Sequence, residues 1–233
     1  MAKQERALRT REALINSAAA VFDREGYRTA SLTAISGQAG VSNGALHFHF
    51  ASKAALAEAV EEAAAHRLTR ITVHGEQRPG QALQCLVDAT HHLAGTLHDD
   101  AVLRAGFALG SEHLYTGERD LRRQWTQWVE STLKRADGEG ELADTVVPRD
   151  AVVAVVAATV GFEVLGAQDA EWLSYRTLTR FWRLLLPRLA APAALGHLQA
   201  AGTPAHPPHP PAPAHQDPAP GNTPGPPPAR PGP

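Results

Sequence analysis

Gly40-Val-Ser-Asn-Gly-Ala-Leu-His-Phe-His-Phe-Ala-Ser-Lys53 constrains this chain more than any other stretch. Upstream of it, Leu32, Ile35 and Ala39 fall at helical spacing and make one apolar edge. Gly40 then stands where a helix end needs a residue tolerant of the left-handed region. Val41 is an apolar plug, and Ser42 suits the N-cap of a second helix. In that second helix Leu46 and Phe50 can face a core while Asn43 and His47 face outward. Gly44 removes side-chain bulk where a backbone has to approach a partner closely. Ser52 caps a third helix that opens on Lys53. Lysine at a helix N-terminus opposes the macrodipole, and an anion bound there, such as a phosphate, would relieve the conflict. The pattern is that of a helix-turn-helix, whose second helix enters a DNA major groove.

The same residues fit a second pattern. Gly40-Val-Ser-Asn-Gly44 matches G-x-S-x-G, the nucleophile elbow of α/β-hydrolases. That motif needs a buried strand directly before it. Here Ile35-Ser-Gly-Gln-Ala39 is helical in period and too polar for a central strand, and no alternation of strands and helices follows to supply an Asp and a His. The hydrolase, or a helical enzyme or scaffold with an accidental motif, therefore stands as the remote alternative to a DNA reader.

Charge placement agrees with DNA reading. The chain of 233 residues carries a formal charge of −2. Through Lys53 there are seven basic and four acidic side chains, which leaves +3 at the front and −5 in the remainder. A modestly basic head on an acidic body suits a small DNA-binding unit. The lone cysteine, Cys85, excludes an internal disulfide and sits in an apolar helical stretch as a small core residue. Met1 is followed by charged residues rather than an apolar leader, and the strongly apolar uncharged run Ala151 to Phe162 is too short to span a membrane. A cytoplasmic protein without membrane partners is expected.

Residues 54–190 read as helices with short breaks, and no strand or repeat is expected. The helices run from Ala54 to about Val73, Gln81 to Leu97, Ala101 to Leu109, Glu118 to Ala136, Ala151 to Leu165 with Asp150 as its cap, and Ala170 to Leu189. Gly75 to Gly80 and Gly138 to Pro148 are breaks. The helix from Ala151 is apolar around nearly its whole circumference, which predicts burial on every side. A second copy of the chain or an ordinary monomer core would each supply that. Trp125 and Trp128, three apart on one helix face, read as core or as a shelf for a ligand. His47 with His49, and His91 with His92, diverge on a helix and lack metal-site spacing. From Pro204 to Pro233, fourteen of thirty residues are proline. Residues 191–233 are expected to be a disordered tail of polyproline character, in which His206, His209 and His215 reflect compositional bias rather than a metal site.

The chain resembles the TetR family of one-component repressors. The family pattern A-G-V-S/T-x-G-x-L-Y-x-H-F-x-S-K-x-x-L is met by Ala39-Gly-Val-Ser-Asn-Gly-Ala-Leu-His-Phe-His-Phe-Ala-Ser-Lys-Ala-Ala-Leu56. Arg9 to Ile15, Ala18 to Phe22 and Gly26 to Ile35 resemble the family's first two helices, and Phe48-His-Phe50 resembles the γ-butyrolactone autoregulator receptors within it. The specific likeness covers residues 3–60. It implies an all-α homodimer, with a helix-turn-helix head over residues 1–53 and a ligand-binding and dimerisation body over 54–190. It further implies DNA contacts from Thr33, Ser42, Asn43, Gly44, His47, Phe48 and Lys53, with Asn43 able to read adenine and Ser42, Lys53 and the backbone near Gly44 holding phosphates. The last two helices would form a four-helix dimer interface. A small apolar effector, a lactone or furan, would sit near Trp128 with Trp125, Phe107, Thr90, Thr159, Phe162 and His66 as companions. A repressor answering to another metabolite, such as an antibiotic, is the near alternative. No catalytic residue, metal or cofactor is implied. The subgroup usually has Lys at position 43 and Tyr at 47, so Asn43 and His47 bear on the choice of operator.

Overall fold

The computed structural model describes residues 2–73, 80–110 and 119–203. Among these, ten α-helices and one 3-10 turn form an all-α fold, and the single β-type contact is an isolated bridge between Leu142 and Ala190. The break at 75–79, Gly117, and the proline-rich stretch from Pro204 with its three histidines lie outside the described residues.

The head is built on three local signals. Helix α1 (Ala2–Thr29) is interrupted at Gly26, whose φ of 77° lies in the left-handed region. Helix α2 (Leu32–Gln38) is capped by Ser31, which accepts from the Ala34 amide at 3.1 Å. Gly40, with φ 67°, reverses the chain, and Ser42 accepts from the Ala45 amide at 3.1 Å to start α3 (Asn43–His49). Leu14, Ala18, Val21, Phe22, Ile35, Leu46 and Phe50 bury together as the head's core.

Helix α4 (Lys53–Val73), capped by Ser52, leads from the head into the body. There it meets α5 (Ala82–Asp99), α6 (Ala101–Leu109) and α7 (Leu121–Gly138). The α4–α6 crossing depends on Gly106: a Cβ built there would lie 2.3 Å from the Ala64 Cβ. Arg67 of α4 adds an ion pair to Asp100 at 2.9 Å, and Asp100 also caps α6. Helix α5 has no side-chain cap of its own. Glu141, buried in the loop after α7, accepts from the Ala82 and Leu83 amides at 2.8 and 2.9 Å. Burial pushes its carboxyl above the ordinary value, against the opposing pull of those two amides.

Two expectations about the last helices change. Helix α8 (Pro148–Gly166) starts one turn earlier than expected, with Pro148 in its first turn and Asp150 inside it rather than at the cap. It is not encircled within one chain: Val153 is 62% exposed, and Val164 and Leu165 also face out. The segment expected to begin one long helix at Ala170 is a 3-10 turn (Ala170–Leu173) capped by Asp169, and α9 (Tyr175–Leu189) begins anew behind Ser174. Pro187 does not end α9; it falls within the last turn.

The expected tail boundary at 191 is wrong. A short helix α10 (Pro192–Leu195) follows, and the chain then lies along α5 up to Thr203. Gln84 exchanges bonds with the backbone of Gln199, Asp88 accepts from the Thr203 amide at 2.7 Å and from its hydroxyl, and His91 meets the Ala200 carbonyl at 3.1 Å. Desolvation holds the His91 imidazole below its ordinary value, with Asp88 and the Ala200 carbonyl pulling the other way. Composition hid this strap because most of its polar anchors are backbone groups and its apolar contacts are few: Leu195, Leu198 and Ala200. A chain ended after Ala191 is therefore expected to melt lower than one ended after Thr203. The lost bonds are worth about 2 kcal/mol, or roughly 4–8 °C at this size. Equal melting temperatures for the two truncations would mean the strap contributes nothing.

Candidate functional site

The outward face of α3 is the first part of the site. Asn43, Gly44, His47 and Phe48 are exposed, with Phe48 82% accessible, while Leu46 and Phe50 anchor the helix inward. Phe48 leans on the His49 ring, edge to face at 5.2 Å. Gly44 is open: a Cβ there would meet only the Ser42 hydroxyl, at 3.9 Å. Thr33 is exposed on α2. Ser42 spends one lone pair on its cap and keeps its O–H for an outside acceptor. A short helix with a bulky, uncharged outer face, held by a serine cap and a glycine turn, can lie in a groove and present amide and imidazole donors to base edges.

Lys53, expected to hold a phosphate, is turned inward onto carbonyls of the head. Its Nζ donates to the carbonyls of Tyr27 at 2.8 Å, Arg28 at 3.2 Å and Ala30 at 3.0 Å, and it stands 4.7 Å from the Tyr27 ring centroid. An ammonium has three N–H donors, and each is matched by a carbonyl where α1 ends. The conflict with the α4 macrodipole is offset by the opposite pole of another helix. Lys53 is thus a clasp inside the head that sets the angle between α1 and α4.

The body holds the second part. Thr90, Thr159 and Phe162 come together around a small cavity of about 10 Å³ that Leu97 and Leu173 also line. That is room for a single water. Both threonines are bonded to tryptophans: the Trp125 indole donates to the Thr159 hydroxyl at 2.8 Å, and the Trp182 indole to the Thr90 hydroxyl at 2.6 Å. Trp128 stacks on Trp125 with ring centroids 5.0 Å apart and is 9% exposed. Its indole N–H is buried and finds no acceptor among the described residues. A buried donor left unmatched costs about 1–3 kcal/mol, so a ligand oxygen placed there gains what the free protein forgoes.

Trp125 and Trp128 adjoin this cavity through Thr159 without lining it, and neither His66 nor Phe107 lines it. His66 is exposed on α4. Phe107 is buried on α6 with the Arg122 guanidinium 5.9 Å from its ring centroid, and it does not line the cavity. Helix periodicity placed both on plausible turns but could not fix the rotation of α4 and α6 about their axes.

Sequence reading missed the polar links between elements. Arg104 of α6 forks onto Asp23 of α1, with its Nη2 2.8 Å and its Nε 3.0 Å from Oδ2. Its Nη1 reaches the Leu97 and His98 carbonyls at 2.8 Å each. Arg122 of α7 pairs with Glu163 of α8. Such pairs span 81 and 41 residues, and no local spacing marks them.

Comparison with known proteins places this geometry. Residues 14–60 match the profile of the bacterial regulatory proteins of the tetR family. The A-factor receptor protein of Streptomyces griseus is 33% identical over 206 residues, covering 87% of this chain and 71% of the relative. A crystal structure of a γ-butyrolactone receptor superposes with a TM-score of 0.73 at 27% identity, over 84% of this chain and 96% of that one. CprB from Streptomyces coelicolor, solved in complex with its biological operator sequence, superposes with a TM-score of 0.69 at 28% identity, over 82% and 94% of the two chains. No helix among the described residues is long and apolar enough to cross a membrane.

Proposed function

Because the chain belongs to the TetR family of bacterial regulatory proteins, in the group of the A-factor and γ-butyrolactone receptors, we propose that it is a homodimeric repressor released from a palindromic operator by a small apolar effector. The head, residues 1–53, reads DNA. The body, now extended to Thr203, binds the effector and a second copy. The observation that carries the reading is the outward face of α3, where Asn43, His47 and Phe48 stand exposed on a capped helix.

Asn43 pairs bidentately with adenine, and His47 and Phe48 reach neighbouring base edges or a thymine methyl. Ser42, Thr33 and the backbone at Gly44 fix register on phosphates. Two heads on a two-fold axis read two half-sites. The open apolar face of α8 and α9, with Val153, Val164, Tyr175 and Leu184 exposed, supports pairing with a second copy.

The effector is a lactone or furan whose carbonyl or ring oxygen accepts from the Trp128 indole, and whose apolar tail enlarges the cavity beside Thr90 and Thr159. It acts by binding one conformer better than the other. Moving the protein from mostly bound to mostly free needs about 5.5 kcal/mol of such difference.

Footprinting on the chain's own promoter region, followed by gel shifts with an A-factor-type lactone, tests this. A protected palindrome lost on lactone addition is expected. Release by an antibiotic instead would move the effector class and leave the rest standing; no protection of any DNA sinks the reading. On that operator, Asn43→Ala is expected to relax preference at one base pair of each half-site, by about 1–3 kcal/mol. A base-substituted operator series measures it, and an unchanged profile would remove Asn43 from base reading.

A further inference from the structure

We propose that Arg104 is the positioning residue that carries a change in the body cavity to the DNA-binding head, through Leu97. The inference rests on the repressor reading above and adds a route to it. Leu97 lines the small cavity and gives its carbonyl to Arg104 Nη1 at 2.8 Å. The His98 carbonyl takes a second bond from the same nitrogen at 2.8 Å. Both carbonyls belong to the last turn of α5, where helix geometry leaves them without a partner of their own. The opposite edge of the guanidinium forks onto Asp23 at 2.8 and 3.0 Å.

The planar guanidinium makes this link stiff. Its donors lie in a fixed fork, so a shift at the carbonyl edge misaligns the carboxylate edge. Asp23 sits three residues before Gly26, where α1 breaks and the chain turns into α2 and α3. The head meets the body along α4 and again where α1 packs on α6, and Arg104–Asp23 is the polar link within that second contact. With α4 alone it can pivot; the second contact sets its angle. The link is also breakable. Its side chains keep 30% and 26% of their exposure, and they border an open cleft of about 430 Å³ that takes in Leu97, His98 and Leu173. A ligand that swells the cavity pushes on Leu97 and has a displaced guanidinium's place in water ready beside it.

The test uses the full chain and three kinds of duplex. These are a palindrome selected by the wild-type protein from a random pool, the same palindrome with one central base pair added or removed, and a random duplex of equal length. Wild-type affinity is expected to fall roughly tenfold or more on the respaced palindromes. Arg104→Gln and Asp23→Asn should each flatten that ratio to about threefold or less and leave the random duplex unchanged, because each head still meets phosphates on its own. The double variant should be no flatter than either single one, since both break one link. A wild-type spacing ratio in both variants, or effects that add, overturns the proposal. Failure of the wild-type chain to select any palindrome is a failure of the repressor reading. The link is then read in DNA-free protein, where Arg104→Gln should speed hydrogen exchange of the α1 amides 14–25, and unchanged exchange would overturn it.

Discussion

Lys53→Ala is expected to lower the stability of the protein by about 3 kcal/mol, since three charge-assisted bonds to carbonyls are lost together. At this chain length that is a fall of roughly 6–12 °C in Tm. Operator affinity falls with it, because α1 and α4 lose the clasp that fixes the recognition helix. The slope of log affinity against log salt should stay as in the wild type. A phosphate contact would give the opposite pair of results: little change in Tm, and a slope smaller by about 1. Lys53→Met separates packing from charge, because it keeps an apolar stem over the Tyr27 ring and donates nothing. It should be nearly as destabilised as the alanine variant. A stable Lys53→Met protein with a reduced salt slope would restore the lysine to the DNA.

Trp128→Ala is expected to leave operator binding in place and to raise the lactone concentration needed for release by roughly a hundredfold, the equivalent of about 3 kcal/mol of lost ligand contact. The head lies before residue 53 and Trp128 lies in α7, so the substitution removes differential affinity without touching the reading surface. Truncating a buried tryptophan also costs about 3–5 kcal/mol of stability, and a melting curve has to accompany the titration. Trp128→Phe is the cleaner arm. It keeps the stack on Trp125 and removes a buried donor that has no acceptor among the described residues. It should therefore lose little stability and still respond weakly to the effector. If a folded Trp128→Ala dimer leaves DNA at the wild-type lactone concentration, Trp128 is core and the pocket lies elsewhere.

The head was legible in the sequence because its logic is local. Ser31, Ser42 and Ser52 each act within three residues of themselves, Gly40 adopts the φ its position called for, and Leu46 and Phe50 face inward by simple periodicity. Lys53 stands out in the sequence as an oddity, but its carbonyl partners could not be read there, since they lie 23 to 26 residues away. In the body, Thr90, Thr159 and Phe162 meet because each follows the apolar stripe of its helix. His66 and Phe107 lie outside that cavity's lining, since a stripe does not say how far a helix is rotated. The strap from Ala191 to Thr203 failed for another reason. Proline-rich composition downstream colours the reading of a segment that is held by Gln84, Asp88 and His91 of a distant helix and by Leu195, Leu198 and Ala200 against the core.

The borrowed cap of α5 has a consequence for how the chain reaches this state. A helix that carries its own N-cap can begin to wind alone, as α2, α3, α6 and α7 can. Helix α5 cannot close its first turn that way; its amides wait for Glu141, which arrives from 58 residues downstream only after α7 is in place. Nucleating a first turn is the slow part of helix growth, and closing a long loop must precede the reward. The central helix of the body thus matures late, on a scaffold assembled from later sequence. Pulse-labelled hydrogen exchange during refolding is expected to protect the amides of α2 and α3 before those of the first turn of α5.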